Sequence, residues 1–186
     1  MYWCKRYLAA FIWPSLLLCF VSCKRDSNAA VDTGKFFDLK GYFASEAARL
    51  KKLNPNVDKT AIYNYQAENQ KVHIDNWASE LSMFSESDIN KPAWKLSYDV
   101  QSSNGFISYK AKDPELKTQD ITIKKDGDQV KWILIINHTK STIFSKKLYE
   151  TTEKLSYFPD SVYHIQKKQY TRFLGIKTYN VKGKFN

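Results

Sequence analysis

Three cysteines, Cys4, Cys19 and Cys23, supply the only thiols of the chain, and all fall within its first 23 residues. A thiolate can bind metal, attack an electrophile or join a disulfide. The 163 residues after Cys23 offer no disulfide partner, so any metal site there must use His and carboxylates. His73, His138 and His164 are the only histidines, and none stands in a spaced ligand pattern. Each falls in or beside an expected strand and reads as a sheet or turn residue. Asp126-Gly127-Asp128 lacks the spaced ligands of a calcium loop and reads as a turn. The acid pairs Asp113/Glu115 and Glu150/Glu153 read as surface residues, since two carboxylates alone recur by chance. No nucleophile elbow, phosphate loop or dinucleotide fingerprint occurs. The expectation is a protein that is not an enzyme and that carries neither metal nor cofactor.

The aromatic residues offer binding rather than catalysis. Tyr149, Tyr157, Phe158, Tyr163, Tyr170, Phe173 and Tyr179 crowd the last part of the chain. Stacked on a sheet face, Tyr157, Tyr163, Tyr170 and Tyr179 would contact a ligand, packing on sugar rings or acyl chains. The competing reading makes them core residues and cross-strand pairs.

The surviving thiol has a specific context. Lys5 and Arg6 precede an apolar run from Leu8 to Val21, which ends at Ser22-Cys23 and the charged Lys24-Arg25-Asp26. This is the order of a secretory signal. The apolar run is too short for the ~20 residues that span a bilayer. Phe20-Val21-Ser22-Cys23 resembles a bacterial lipobox, with Phe20 standing where leucine is usual. The resemblance implies diacylation of the Cys23 thiol and cleavage before it. A diacylglyceryl group provides the two chains that stable anchoring takes. The Lys-, Tyr- and Asn-rich chain that follows is loosely similar to envelope lipoproteins of the Bacteroidota. In that group an acidic cluster after the cysteine often accompanies surface export. Here Lys24-Arg25-Asp26-Ser27-Asn28 holds one acid, which favours a periplasm-facing leaflet of the outer membrane. In such a protein the sequon Asn137-His138-Thr139 is a coincidence.

The net charge is +10, of which Lys5 and Arg6 supply two, leaving +8 for the rest. This balance suits lipid headgroups or acidic polysaccharide as well as a merely solvated surface. Export argues against nucleic acid as a partner. The composition is that of a folded domain, with 15% aromatic residues and only six Gly and five Pro.

The elements follow from periodicity. Phe36, Leu39, Phe43, Ala47, Leu50 and Leu53 make one stripe of a helix over 35–54, ended by Asn54-Pro55. That helix either packs on a sheet or lies on a membrane, and packing is favoured because its polar face is not uniformly basic. Thr60–Tyr65 and Lys71–Ile74 read as a strand pair turning at Glu68-Asn69-Gln70. A second helix, capped by Asp75, carries Ile74, Trp77, Leu81 and Phe84. From Trp94 the period becomes two. Strands are expected at 94–100, 107–111, 121–123, 130–136, 141–149, 153–158, 161–168 and 176–185, with Asp126-Gly127-Asp128 as a hairpin turn. The run Val130–Ile136 predicts a central strand covered on both faces. The fold class is α+β: two N-terminal helices packed on an antiparallel meander of about seven to nine strands, with a curved half barrel as one form of it. The domain plan is a signal peptide over 1–22, a lipidated tether over 23–34 and one domain over 35–186.

Two functions fit. The first is a non-catalytic, membrane-anchored lipoprotein that binds an apolar or amphipathic ligand inside a curved sheet. The second is an accessory subunit that recruits a partner protein to an envelope complex.

Overall fold

The computed structural model describes residues 36–143 and 146–186. The leader, Cys23 and the tether over 23–34 lie outside the described residues.

The first helix, α1 (Leu39–Leu53), begins where Asp38 Oδ1 accepts from the Gly41 amide at 2.8 Å. Lys51 and Lys52 stand in its last turn, where cations meet the negative helix end. Asn54, at φ 48°, turns the chain out of it. The expected stripe is present: Leu39, Phe43, Ala47 and Leu50 are all buried. Its ends differ. Phe36 precedes the helix and lies edge-on to Tyr98 and Tyr109, with ring centres 5.7 and 5.5 Å away. Leu53 faces solvent.

The second helix is two single turns, α2 (Trp77–Glu80) and α3 (Ser82–Ser85). Its cap is Asn76, not Asp75: Asn76 Oδ1 accepts from the Ser79 amide at 3.0 Å. These turns follow the first hairpin, so among the described residues α1 alone precedes the sheet. No helix among the described residues is long and apolar enough to cross a membrane.

Nine strands form one open antiparallel sheet, which makes the domain mostly β and broadly α+β. They are β1 (Val57–Tyr63), β2 (Gln66–Val72), β3 (Tyr98–Ser103), β4 (Phe106–Ala111), β5 (Thr118–Asp126), β6 (Gln129–Ile143), β7 (Lys146–Phe158), β8 (Val162–Thr171) and β9 (Gly175–Phe185). The order is β2-β1-β9-β8-β7-β6-β5-β4-β3. From β3 to β9 the chain meanders, and the β1–β2 hairpin joins beside β9. The hairpin at Gly127-Asp128 forms as expected, with Gly127 at φ 57°.

Three expectations are corrected. The first hairpin turns at Asn64-Tyr65, three residues before Glu68, and both turn residues have positive φ. Trp94 sits in a short 3-10 turn, Pro92–Trp94, and the strand begins only at Tyr98. The separate strands at 141–149 and 153–158 do not exist. Instead β6 runs on to Ile143 and β7 is continuous, with Thr151 paired to both Thr139 and Gln169.

The helices lie on one face of the sheet. Phe43 of α1 meets Phe84 and Tyr157, with ring centres 5.0 and 5.2 Å apart. Trp77 of α2 packs against Tyr163 and Phe185. Burying each such side chain is worth about 1.5–3 kcal/mol. Among the described residues, this core draws on positions from Phe36 to Phe185. The opposite face is open. On β6, Ile133 and Ile135 are buried, whereas Leu134 and Ile136 each keep 39% of their surface exposed. The strand is thus covered on one face, not two.

Candidate functional site

Tyr157 and Tyr163 belong to the helix-covered face. They stand opposite each other on β7 and β8, and both are fully buried. Tyr157 donates its hydroxyl to Glu46 of α1 at 2.5 Å, and Arg49 holds the same carboxylate. Tyr163 donates to Glu80 of α2 at 2.5 Å, and Lys59 holds that carboxylate at 2.7 Å. Burial raises both phenol pKa values above their ordinary range, and the neighbouring glutamates raise them further. These tyrosines tie helices to sheet and are closed to a ligand. Tyr179 shares their face by register, paired with Lys167 beside Glu153, though it is exposed at the end of the sheet; of the four, only the half-buried Tyr170 stands on the opposite face.

The rest of the helix-covered face is polar toward one end. Asn137, 1% exposed, donates to Ser87 Oγ at 2.8 Å and to Glu153 Oε2 at 3.3 Å, and Lys167 pairs with Glu153 at 3.2 Å. The Asn137 amide nitrogen is therefore engaged in the interior, where a glycan would not fit. The acid pair Glu150/Glu153 is split by the alternation of the strand. Glu153 points into this cluster, while Glu150 meets Lys147 and His138 on the opposite face. The Lys147 ammonium, and then His138, hold the Glu150 carboxyl below its usual range. Glu115 pairs with Lys140 in the way of a surface residue. The three histidines do not meet: His73 is exposed, His138 faces Glu150, and His164 Nε2 lies 2.6 Å from Asn180 Oδ1. No group of three His, Cys, Asp or Glu residues among the described ones is placed to hold a metal.

The open face carries a groove of about 470 Å³ across β7, β8 and β9. Register builds it. Thr152 pairs with Lys168 and Lys168 with Thr178, while Lys154 pairs with Gln166 and Gln166 with Asn180. These six side chains form two parallel rows; Lys167 and Tyr179 also border the groove, although register pairs them with each other and sets them in a row with Glu153 on the helix-covered face. Lys154 and Lys168 have no carboxylate partner among the described residues, unlike Lys167. No carboxylate, imidazole or thiol lines the groove. Ile136 pairs with Lys154 from the β6 side, and Leu134 pairs with Ser156, so an aliphatic strip borders the cationic rows. The strip continues to Trp132, whose ring centre lies 5.8 Å from that of Phe106. Such a surface can accept an anionic group between ammonium and amide donors, with an apolar chain along β6.

Sequence reasoning missed these lysines because their grouping comes from strand register. One signal was available. From Ser161 to Asn186 the chain holds six Lys or Arg residues and no Asp or Glu. That charge asymmetry marks β8 and β9 as the cationic part of the sheet.

In comparisons with known proteins, no family model, no curated protein and no solved structure matches the chain.

Proposed function

We propose that the chain is a non-catalytic envelope lipoprotein, anchored through acyl chains on Cys23 and facing the periplasm from the outer membrane, that binds an anionic amphipathic ligand on the open face of its sheet. The observation that carries the ligand class is the pair of lysines without carboxylate partners, Lys154 and Lys168, set in a groove beside Leu134 and Ile136. A ligand inside the curve of the sheet is not favoured, because Phe43, Phe84, Trp77 and Tyr163 fill that side. We read the sheet as a half barrel wrapped on its helices. Contacts running from Tyr109 on β4 to Phe185 on β9 support that reading.

The test is a fluorescence titration of the mature chain, from Lys24 onward, with a dansylated eleven-carbon fatty acid below its micellar range. The reading expects saturable enhancement, reversed by laurate and not by the uncharged methyl laurate. Equal displacement by both would remove the anionic requirement, and no enhancement would remove the ligand.

A second reading keeps the anchor and makes the open face a docking surface for an envelope protein. Phe106, Trp132, Leu134 and Ile136 favour it, because a contiguous exposed apolar strip marks interaction surfaces.

A further inference from the structure

At the end of the sheet where α1 does not reach the turns, large apolar side chains stand in solvent. Phe173 and Leu174 form the β8–β9 turn and are 82% and 67% exposed. Tyr65, in the β1–β2 turn, is 94% exposed. Register brings the two turns together. Asn64 donates its amide to Thr178 O at 3.1 Å, and the Thr178 amide donates to Asn64 Oδ1 at 3.1 Å. Ile176 follows on β9, also exposed.

Three observations say what covers this end. The first is charge: Arg172 and Lys177 flank the apolar residues, neither has a carboxylate partner among the described residues, and the whole β8–β9 hairpin lacks Asp and Glu. Apolar and aromatic residues rimmed by cations are the pattern of a surface that enters the headgroup layer of an anionic bilayer. The second is backbone strain. Tyr65 holds φ 74°, a conformation that favours glycine, and so presents an aromatic ring at the turn where a hairpin ordinarily places Gly. The third is reach. The 13 residues from Cys23 to Phe36 extend at most about 45 Å, which keeps the domain within touch of the membrane that holds its lipid.

We propose that this end of the sheet, with Phe173, Leu174 and Tyr65 foremost, inserts into the interface of an anionic membrane. Reach depends on the lipid proposed at Cys23, whereas charge and turn geometry are properties of the folded domain and are tested without it. The contact orients the ligand groove. Tyr170 pairs with Ile176 one step along the open face from Lys168 and Thr178, so the groove floor runs toward the bilayer.

The experiment is co-sedimentation of the mature chain from Lys24 with vesicles of phosphatidylethanolamine and phosphatidylglycerol, against vesicles of phosphatidylcholine alone. The chain should partition onto the anionic vesicles, and less so in about 0.5 M salt. The double variant Phe173→Ser/Leu174→Ser should lose at least about tenfold in partitioning while melting at the wild-type temperature, since both side chains lie outside the core. The control Leu134→Ser/Ile136→Ser, exposed on the open face away from the turns, should partition like wild type. Equal loss in both variants, partitioning independent of lipid charge, or no partitioning at all would overturn the proposal. So would a dimer in light scattering that the turn variant dissolves, which would assign the surface to a second copy of the chain. Fatty-acid binding by the turn variant is read separately, so failure here leaves the groove reading standing.

Discussion

Tyr163 on β8 lies flat across Gly183 on β9, and its ring occupies the space into which any side chain at position 183 would project. The glycine is therefore a packing requirement rather than a turn signal. It lets the ring lie low on the sheet while the hydroxyl reaches Glu80 and, through it, Lys59. One missing methyl thus seats α2 on the sheet.

Gly183→Ala should destabilise the domain by about 1–3 kcal/mol, the usual cost of forcing an extra methyl into a packed site. Urea unfolding of the mature chain checks this. Unchanged stability would mean that the ring shifts freely, and the seating role would fail.

Phe43→Ala should cost about 3–5 kcal/mol, because the ring is buried against Phe84 and Tyr157. Thermal melting of the soluble domain reads the loss. A helix lying on a membrane would show wild-type melting and weakened vesicle binding instead, and that pair of results would contradict the packing of α1.

Alkali should unfold the domain early. Burial raises the phenol pKa values of Tyr42, Tyr98, Tyr109, Tyr157 and Tyr163, that of Tyr98 to about 12. A folded-state value above the ordinary 10.0 means that the fold favours the protonated phenol. The stabilisation is complete below pH 10 and is lost as pH rises through the folded values. Melting temperature should hold from about pH 8 to about pH 10 and then fall, with slow ionisation of the buried tyrosines seen in the ultraviolet. Simple ionisation of all ten tyrosines of the domain near pH 10 without unfolding would contradict the burial.

Much of this was written in the sequence, and the exceptions have physical reasons. The α1 stripe was legible because four large residues at helical spacing must be covered. The β5–β6 hairpin was legible because Asp126-Gly127-Asp128 names its own turn. The β1–β2 turn was not, because Asn64-Tyr65 sets a tyrosine at positive φ where a glycine would have announced it. The break expected after Tyr149 was wrong: Glu150-Thr151-Thr152 holds no large apolar residue to mark a strand, yet β7 is held on both sides by neighbouring strands. The apolar run of β6 suggested two covered faces, but the helices reach only one. Of the four candidate tyrosines, three share the helix-covered face and only Tyr170 stands on the open one, since strand parity decides the face and a shift of one residue reverses it. The groove lysines belong to different strands, so only register could assemble them.

Cys23→Ala should abolish incorporation of labelled acyl chains in a bacterial host while the domain retains its cooperative melting, since the core residues described run from Phe36 to Phe185. Labelling that persists in the variant would contradict the lipid anchor.

The central claim is that Lys154 and Lys168 bind the anionic end of an amphipathic ligand. Charge reversal at both, Lys154→Glu/Lys168→Glu, tests it most directly, by isothermal titration of laurate into the mature chain beside wild type. Neither side chain supports the core, and neither has a carboxylate partner among the described residues, so melting should be unchanged. The account predicts saturable binding by wild type that weakens with salt, and a loss of at least about tenfold in the variant, from losing two charge-assisted hydrogen bonds. Laurate binding of equal strength in the two proteins would contradict it.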